Sequence, residues 1–81
     1  MKKEPLTMRV RDLNMAAALI SSGNPMLKNY RDEYNREYFV FIHTEKLDKA
    51  VHDYRADVLL VRAREYANNL KMLKGVIYAE S

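Results

Sequence analysis

Tyr38-Phe39-Val40-Phe41-Ile42 is the one place in the chain where β-branched and aromatic residues run unbroken. Such side chains fit a pleated, packed surface better than a helical turn, and the polar flanks Asn35-Arg36-Glu37 and His43-Thr44 bound the run, so it reads as a strand. Alternation sends Tyr38, Val40 and Ile42 to one face and Phe39 and Phe41 to the other. Both faces are apolar and both need cover, which makes this the central strand of a small sheet.

Upstream, Met26, Leu27 and Tyr30 begin a second extended piece that runs into the polar stretch Arg31 to Arg36. The pair reads as a β-hairpin with its tip near Asp32 to Asn35, and with no Asn-Gly or Asp-Gly to set the turn the register stays open. Earlier still, Leu6, Met8 and Val10 alternate with Thr7, Arg9 and Arg11, a half-buried strand with a basic outer face, which Pro5 marks as an edge. Asp12 stands as N-cap of a helix carrying Leu13, Ala16, Ala17 and Ile20 on one stripe, and Gly23 followed by Pro25 stops it. Thr44 caps a second helix with Leu47, Ala50, Val51 and Tyr54 on one face. Val58 to Val61 reads equally as a short strand or as the opening of the last helix. From Ala63 the helical pattern is firm: Tyr66, Leu70, Leu73 and Ile77 share a stripe that Ala63 and Ala67 widen. The expected fold is α+β, an antiparallel three-stranded sheet centred on residues 38–42 packed with about three helices, the C-terminal one long.

With 81 residues and no cysteine the chain is expected to form one domain, 1–81, with residues 1–5 flexible, and no disulfide to staple it. Self-association would supplement a core of this size. The longest apolar run, Met15 to Ile20, falls far short of the roughly 20 residues a membrane span needs. No signal peptide is evident, and a cytoplasmic location is expected. The net charge of +3 is uneven, with basic ends flanking an acidic middle. Anionic partners are therefore compatible with it, though not required.

Residues that could carry chemistry are few. His43 and His52, with Glu45, Asp48 and Asp53 nearby, read as solvated histidines rather than a metal site, with His52 and Asp48 an i,i+4 pair. Asp32-Glu33 sits at the expected hairpin tip, and Ser21-Ser22-Gly23-Asn24-Pro25 holds one glycine and no lysine, a helix stop rather than a phosphate loop. No catalytic, cofactor-binding or metal-binding residue is expected. Tyr30, Arg31, Tyr34, Arg36 and Tyr38 interleave aromatic and basic residues as single-strand binders do, but Asp32, Glu33 and Glu37 in the same segment offset the arginines and favour an ordinary amphipathic hairpin. Arg64, Asn68, Lys71 and Lys74 form a polar stripe on the last helix, which Arg9 and Arg11 would extend if the first strand lay nearby. These six are the candidate phosphate or partner contacts, weighed against a plain solvated face.

"Arg11-Asp12-Leu13-Asn14-Met15-Ala16-Ala17-Ala18-Leu19-Ile20" resembles the DLxLAAxLL opening of a small family of bacteria and their phages. Gly23, the strand at Tyr38 to Ile42, and a closing "Tyr66-Ala67-Asn68-Asn69-Leu70-Lys71-Met72-Leu73-Lys74-Gly75-Val76-Ile77-Tyr78", similar to FxxxLxxLKxxIY, follow in the same order. The chain departs from the pattern at Val61-Arg62-Ala63, where the family tends to place a capping aspartate. The resemblance implies a shared α+β fold, an extended Val58 to Val61 and a last helix starting near Arg62, and it implies no activity. The function expected is a non-catalytic interaction module of phage or mobile-element origin that works by protein contact, with a homodimer through the last helix open. The alternative is a nucleic-acid binder using the basic edge strand and the Arg64 to Lys74 face.

Overall fold

β3 (Glu37–Ile42) forms where the apolar run predicts it and is the middle strand of three. The computed structural model describes residues 6–79, so the expectation for residues 1–5 lies outside the described residues. β1 (Thr7–Val10) and β2 (Met26–Arg31) flank β3 antiparallel on either side, in the order β1-β3-β2. The remaining elements are α1 (Leu13–Ser21), α2 (Glu45–Arg55) and α3 (Ala63–Ala79), so the fold is α+β as expected.

Polar side chains set the hairpin that joins β2 to β3. Asn35 N–H donates to the Asp32 carbonyl at 3.0 Å and Asn35 adopts φ 64°, a tight turn followed by a left-handed residue that asparagine accepts. The Asp32 carboxylate accepts from the N–H groups of Tyr34 and Arg36, both at 2.9 Å, and from the Arg36 guanidinium at 3.0 Å. Desolvation works to raise the pKa of Asp32, but these donors outweigh it and hold the carboxyl below its ordinary value. The ionised form therefore supports the folded tip above the unfolded pKa of about 3.9, and the support is lost as pH falls through the lower native value. The Tyr34 and Arg36 amide resonances are expected to titrate together below about pH 3.9; a midpoint at or above that value would contradict the assignment.

One irregularity follows upstream, where a bulge between Met26 and Lys28 turns Leu27 outward and restores the alternation that puts Lys28 and Tyr30 on one face. Asp12 caps α1 by accepting from Asn14 and Met15 N–H at 2.9 and 3.1 Å, and Thr44 caps α2 through Leu47 N–H at 3.0 Å. At the other end of α1, Gly23 N–H bonds the Ile20 carbonyl and Asn24 N–H the Leu19 carbonyl, each at 3.0 Å, the paired bonds of a left-handed C-terminal cap. Gly23 has φ 94°, and a Cβ there would meet Lys46 Nζ at 2.6 Å. Gly23→Ala is expected to cost about 1–2 kcal/mol, read as a lower midpoint of denaturant unfolding with an unchanged slope.

α1 is the centre of the helical layer. Met15, Ala16, Ala17, Ala18 and Leu19 are all buried, a wider face than the stripe expected, because α1 touches β1, α2 and α3 together and its alanines admit all three closely. Leu47, Ala50 and Val51 of α2 and Leu73 of α3 join it, with Tyr66, Leu70 and Ile77 packed alongside. Ala63 and Ala67, expected to widen the stripe of α3, are exposed instead. Asn69 Nδ2 donates to Ser21 Oγ at 2.9 Å and Arg31 Nη2 to the Ile77 carbonyl at 3.1 Å, tying α3 to α1 and to β2.

The segment Val58 to Val61 is neither strand nor helix. α2 ends with Asp57 at φ 61°, where Val58 N–H and Leu59 N–H both reach the Asp53 carbonyl, at 2.9 and 3.2 Å. Leu59 then packs on the core while Leu60 is 91% exposed. α3 begins at Ala63, with Tyr66 N–H bonded to the Arg62 carbonyl, which is the start the family resemblance implies.

All three helices join one cluster with Phe39 and Phe41, together with Val10 of β1. Val40, only 3% exposed, is absent from that cluster because it points the other way. The sheet therefore has a helix-covered face and a second face that, among the described residues, no helix covers. On that second face Val40 is flanked across the strands by Arg9 and Lys28, whose aliphatic stems stand beside it.

Candidate nucleic-acid interface

The uncovered face follows from strand alternation and register alone. β3 contributes Tyr38, Val40 and Ile42, β1 contributes Thr7 and Arg9, and β2 contributes Lys28 and Tyr30. Tyr30 and Tyr38 oppose each other directly, and their rings stack with centroids 5.3 Å apart at 23°. Arg9 reaches from one edge strand across β3 to the other: its Nη1 donates to the Tyr30 hydroxyl at 3.2 Å, and its Cζ lies 5.2 Å from the Tyr38 ring centroid. Arg11, just beyond β1, brings a second guanidinium to 5.8 Å from the same centroid. The bond to Tyr30 is the main influence raising the Arg9 pKa above its ordinary value, so the guanidinium is charged under all physiological conditions.

A cleft of about 230 Å³ adjoins this face along the edge of β1, lined by Met8, Arg9, Val10, Arg11, Asp12, Met15 and Arg55. Three arginines from β1, its extension and the last turn of α2 thus meet at one edge. The Asp12 carboxylate there is already engaged by the N-terminal amides of α1.

Of the acids that offset the basic residues in the sequence, Glu37 leaves the face. It points to the helix side, where Arg31 Nε and Asn29 Nδ2 donate to its carboxylate at 3.4 and 3.2 Å. Asp32 is held at the hairpin tip by Arg36, and its charge is among the lesser influences raising the pKa of Arg9. Arg31 and Arg36, the two arginines of the interleaved segment, are likewise absent from the face: Arg31 turns to α3, and Arg36 lies over Tyr34 at 4.9 Å. What remains is an aromatic pair bordered by Arg9, Arg11 and Lys28.

A family model, Domain of unknown function (DUF5659), matches residues 6–79. The chain belongs to that family. No curated protein and no solved structure matches it.

In this DUF5659 chain the six sequence-derived candidates fall on two surfaces. Arg9 and Arg11 lie on the uncovered sheet face, whereas Arg64, Asn68, Lys71 and Lys74 are exposed on α3, whose packing residues join the cluster on the other face of the sheet. Lys28 and Arg55 are the members that sequence reasoning missed. Lys28 needs the bulge at Leu27 to set its direction, and Arg55 needs the tertiary packing that carries the end of α2 to β1.

Two other expectations are revised or located. Asp48 pairs with His43, Oδ1 to Nε2 at 2.6 Å, rather than with His52: the residue before the Thr44 cap folds back over the first turn of α2 and reaches Asp48 first. Asp53 takes Lys49 at 2.9 Å, and His52 is exposed. Among the described residues, no group of three or more His, Cys, Asp or Glu side chains is placed to hold a metal ion, and no helix is long and apolar enough to cross a membrane.

Proposed function

We propose that this DUF5659 domain is a non-catalytic module that binds single-stranded nucleic acid on the uncovered sheet face. The observation that carries this reading is the stacked Tyr30–Tyr38 pair bordered by Arg9, Arg11 and Lys28 on a face that no described helix covers. Bases stack on aromatic rings whatever their sequence, and cations spaced around the rings take the phosphates between them. The arginine-lined cleft beside β1 offers the backbone a path off the sheet, where Arg55 supplies a further charge.

The test is fluorescence anisotropy with short labelled poly-pyrimidine DNA and RNA. If Arg9, Arg11, Lys28 and Arg55 each meet a phosphate, the logarithmic salt slope is expected near −3, and affinity falls about fiftyfold between about 50 and 200 mM salt. Duplex of the same length should bind more weakly, because its bases are already stacked. Absence of binding at the lower salt, or binding indifferent to salt, would overturn the proposal.

A protein partner is the second reading. It draws on the apolar side chains left uncovered away from this face, Val58 and Leu60 above all. A contact built on them would respond little to salt.

A further inference from the structure

A second cleft, of about 340 Å³, opens on the helical side of the molecule between the C-terminal part of α1, the end of α2, the segment at 57–61 and the start of α3. It is lined by Ala18, Tyr54, Asp57, Leu59, Val61 and Tyr66, none of which lies on the uncovered sheet face. Its size lies at the lower end of the range for small-molecule sites, about 300–1,000 Å³. Its chemistry is one-sided. Two tyrosines and three aliphatic residues line it, and among the described residues Asp57 is the only ionisable lining residue besides the tyrosines; its carboxylate makes no ion pair or side-chain hydrogen bond with them.

The geometry points to a site for an organic cation, an alkylammonium head whose methyl or methylene groups lie on the Tyr54 and Tyr66 rings and whose charge faces Asp57. Aromatic walls attract such cations through the negative faces of their rings, and a quaternary ammonium loses little hydration on entering. The local field agrees in sign: after burial itself, the charge of Asp12 is the next influence raising the pKa of Tyr54. Asp57 is an exposed residue whose backbone turns left-handed, φ 61°, just past the end of α2, with its N–H on the Tyr54 carbonyl at 3.0 Å.

The test compares choline with its neutral isostere 3,3-dimethylbutan-1-ol in NMR titrations of the full chain, following the amides of Ala18, Tyr54, Asp57, Leu59, Val61 and Tyr66. Choline is expected to bind more tightly than the alcohol by about three- to thirtyfold, with saturation in the millimolar range. Asp57→Asn keeps a residue that accepts positive φ and should abolish most of that preference while leaving the alcohol unaffected. N-acetyl-lysine methylamide and its trimethylated form, run in the same way, distinguish a free ammonium ligand from a side chain presented by a protein. Equal affinity for choline and the alcohol would mean a merely apolar cleft and overturn the proposal, as would absence of choline shifts or a preference that survives Asp57→Asn. None of these outcomes depends on nucleic-acid binding at the sheet.

Discussion

Phe41→Ala is expected to lower the melting midpoint by about 12–40 °C, because emptying a core aromatic site costs about 3–5 kcal/mol and a domain of this size shifts about 4–8 °C per kcal/mol. Phe41 is 0% exposed, lies on the central strand and is paired with Met8 on one side and Met26 on the other. It also faces the cluster to which all three helices contribute, so truncation leaves a cavity that no single side chain can fill by relaxing. Total stability for a chain of 81 residues is only about 4–12 kcal/mol, which makes the loss a large fraction of the whole. Leu60→Ala is the matched control: at 91% exposure it should stay within about 0.5 kcal/mol of the parent. Thermal unfolding followed by circular dichroism reads both. A Phe41→Ala protein melting within a few degrees of the parent would contradict the placement of the core.

Tyr38→Ala should act on binding more than on stability. Its ring is only half-buried and lies outside the helix-side cluster, so the cost to folding is the cross-strand contact with Tyr30, about 0.2–1 kcal/mol. Loss of a stacking platform costs about 1–3 kcal/mol per base, an affinity change of roughly five- to 150-fold. The substitution also removes the ring over which Arg9 and Arg11 are gathered, so the salt slope should become shallower at the same time. Arg64→Ala on α3 changes the net charge by the same amount as Arg9→Ala would, but should leave affinity nearly unaltered, since it lies away from this face. Anisotropy titrations of the two variants at one salt concentration check this. Equal losses from Tyr38→Ala and Arg64→Ala would point to diffuse charge attraction rather than a built surface.

The features that were legible in the sequence are those whose cause is local. The apolar run of β3, the caps at Asp12 and Thr44, the stop at Gly23 and the turn at Asp32 to Asn35 each follow from a few neighbouring residues, and each lies where those residues place it. What was not legible depends on pairing between distant segments. Nothing near Arg9 in the sequence says that it opposes Val40 and spans to Tyr30, and the bulge at Leu27 that points Lys28 to the same face leaves no turn signature. The apparent cancellation of Arg31 by Glu37 had the right residues on the wrong surface, because alternation sends both to the helix side. The stripe reading of α1 similarly undercounted its buried residues, since a helix touched by three elements has no free side for periodicity to reveal.

The claim that the uncovered sheet face is the working surface is tested most directly by an amide chemical-shift map of the isotopically labelled protein titrated with a short single-stranded oligonucleotide at low salt. The account predicts saturable shifts at Thr7, Arg9, Arg11, Lys28, Tyr30, Tyr38, Val40 and Arg55, with α3 from Arg64 to Lys74 unmoved. Shifts centred on Arg64, Asn68, Lys71 and Lys74, or no saturable shifts at all, would contradict it.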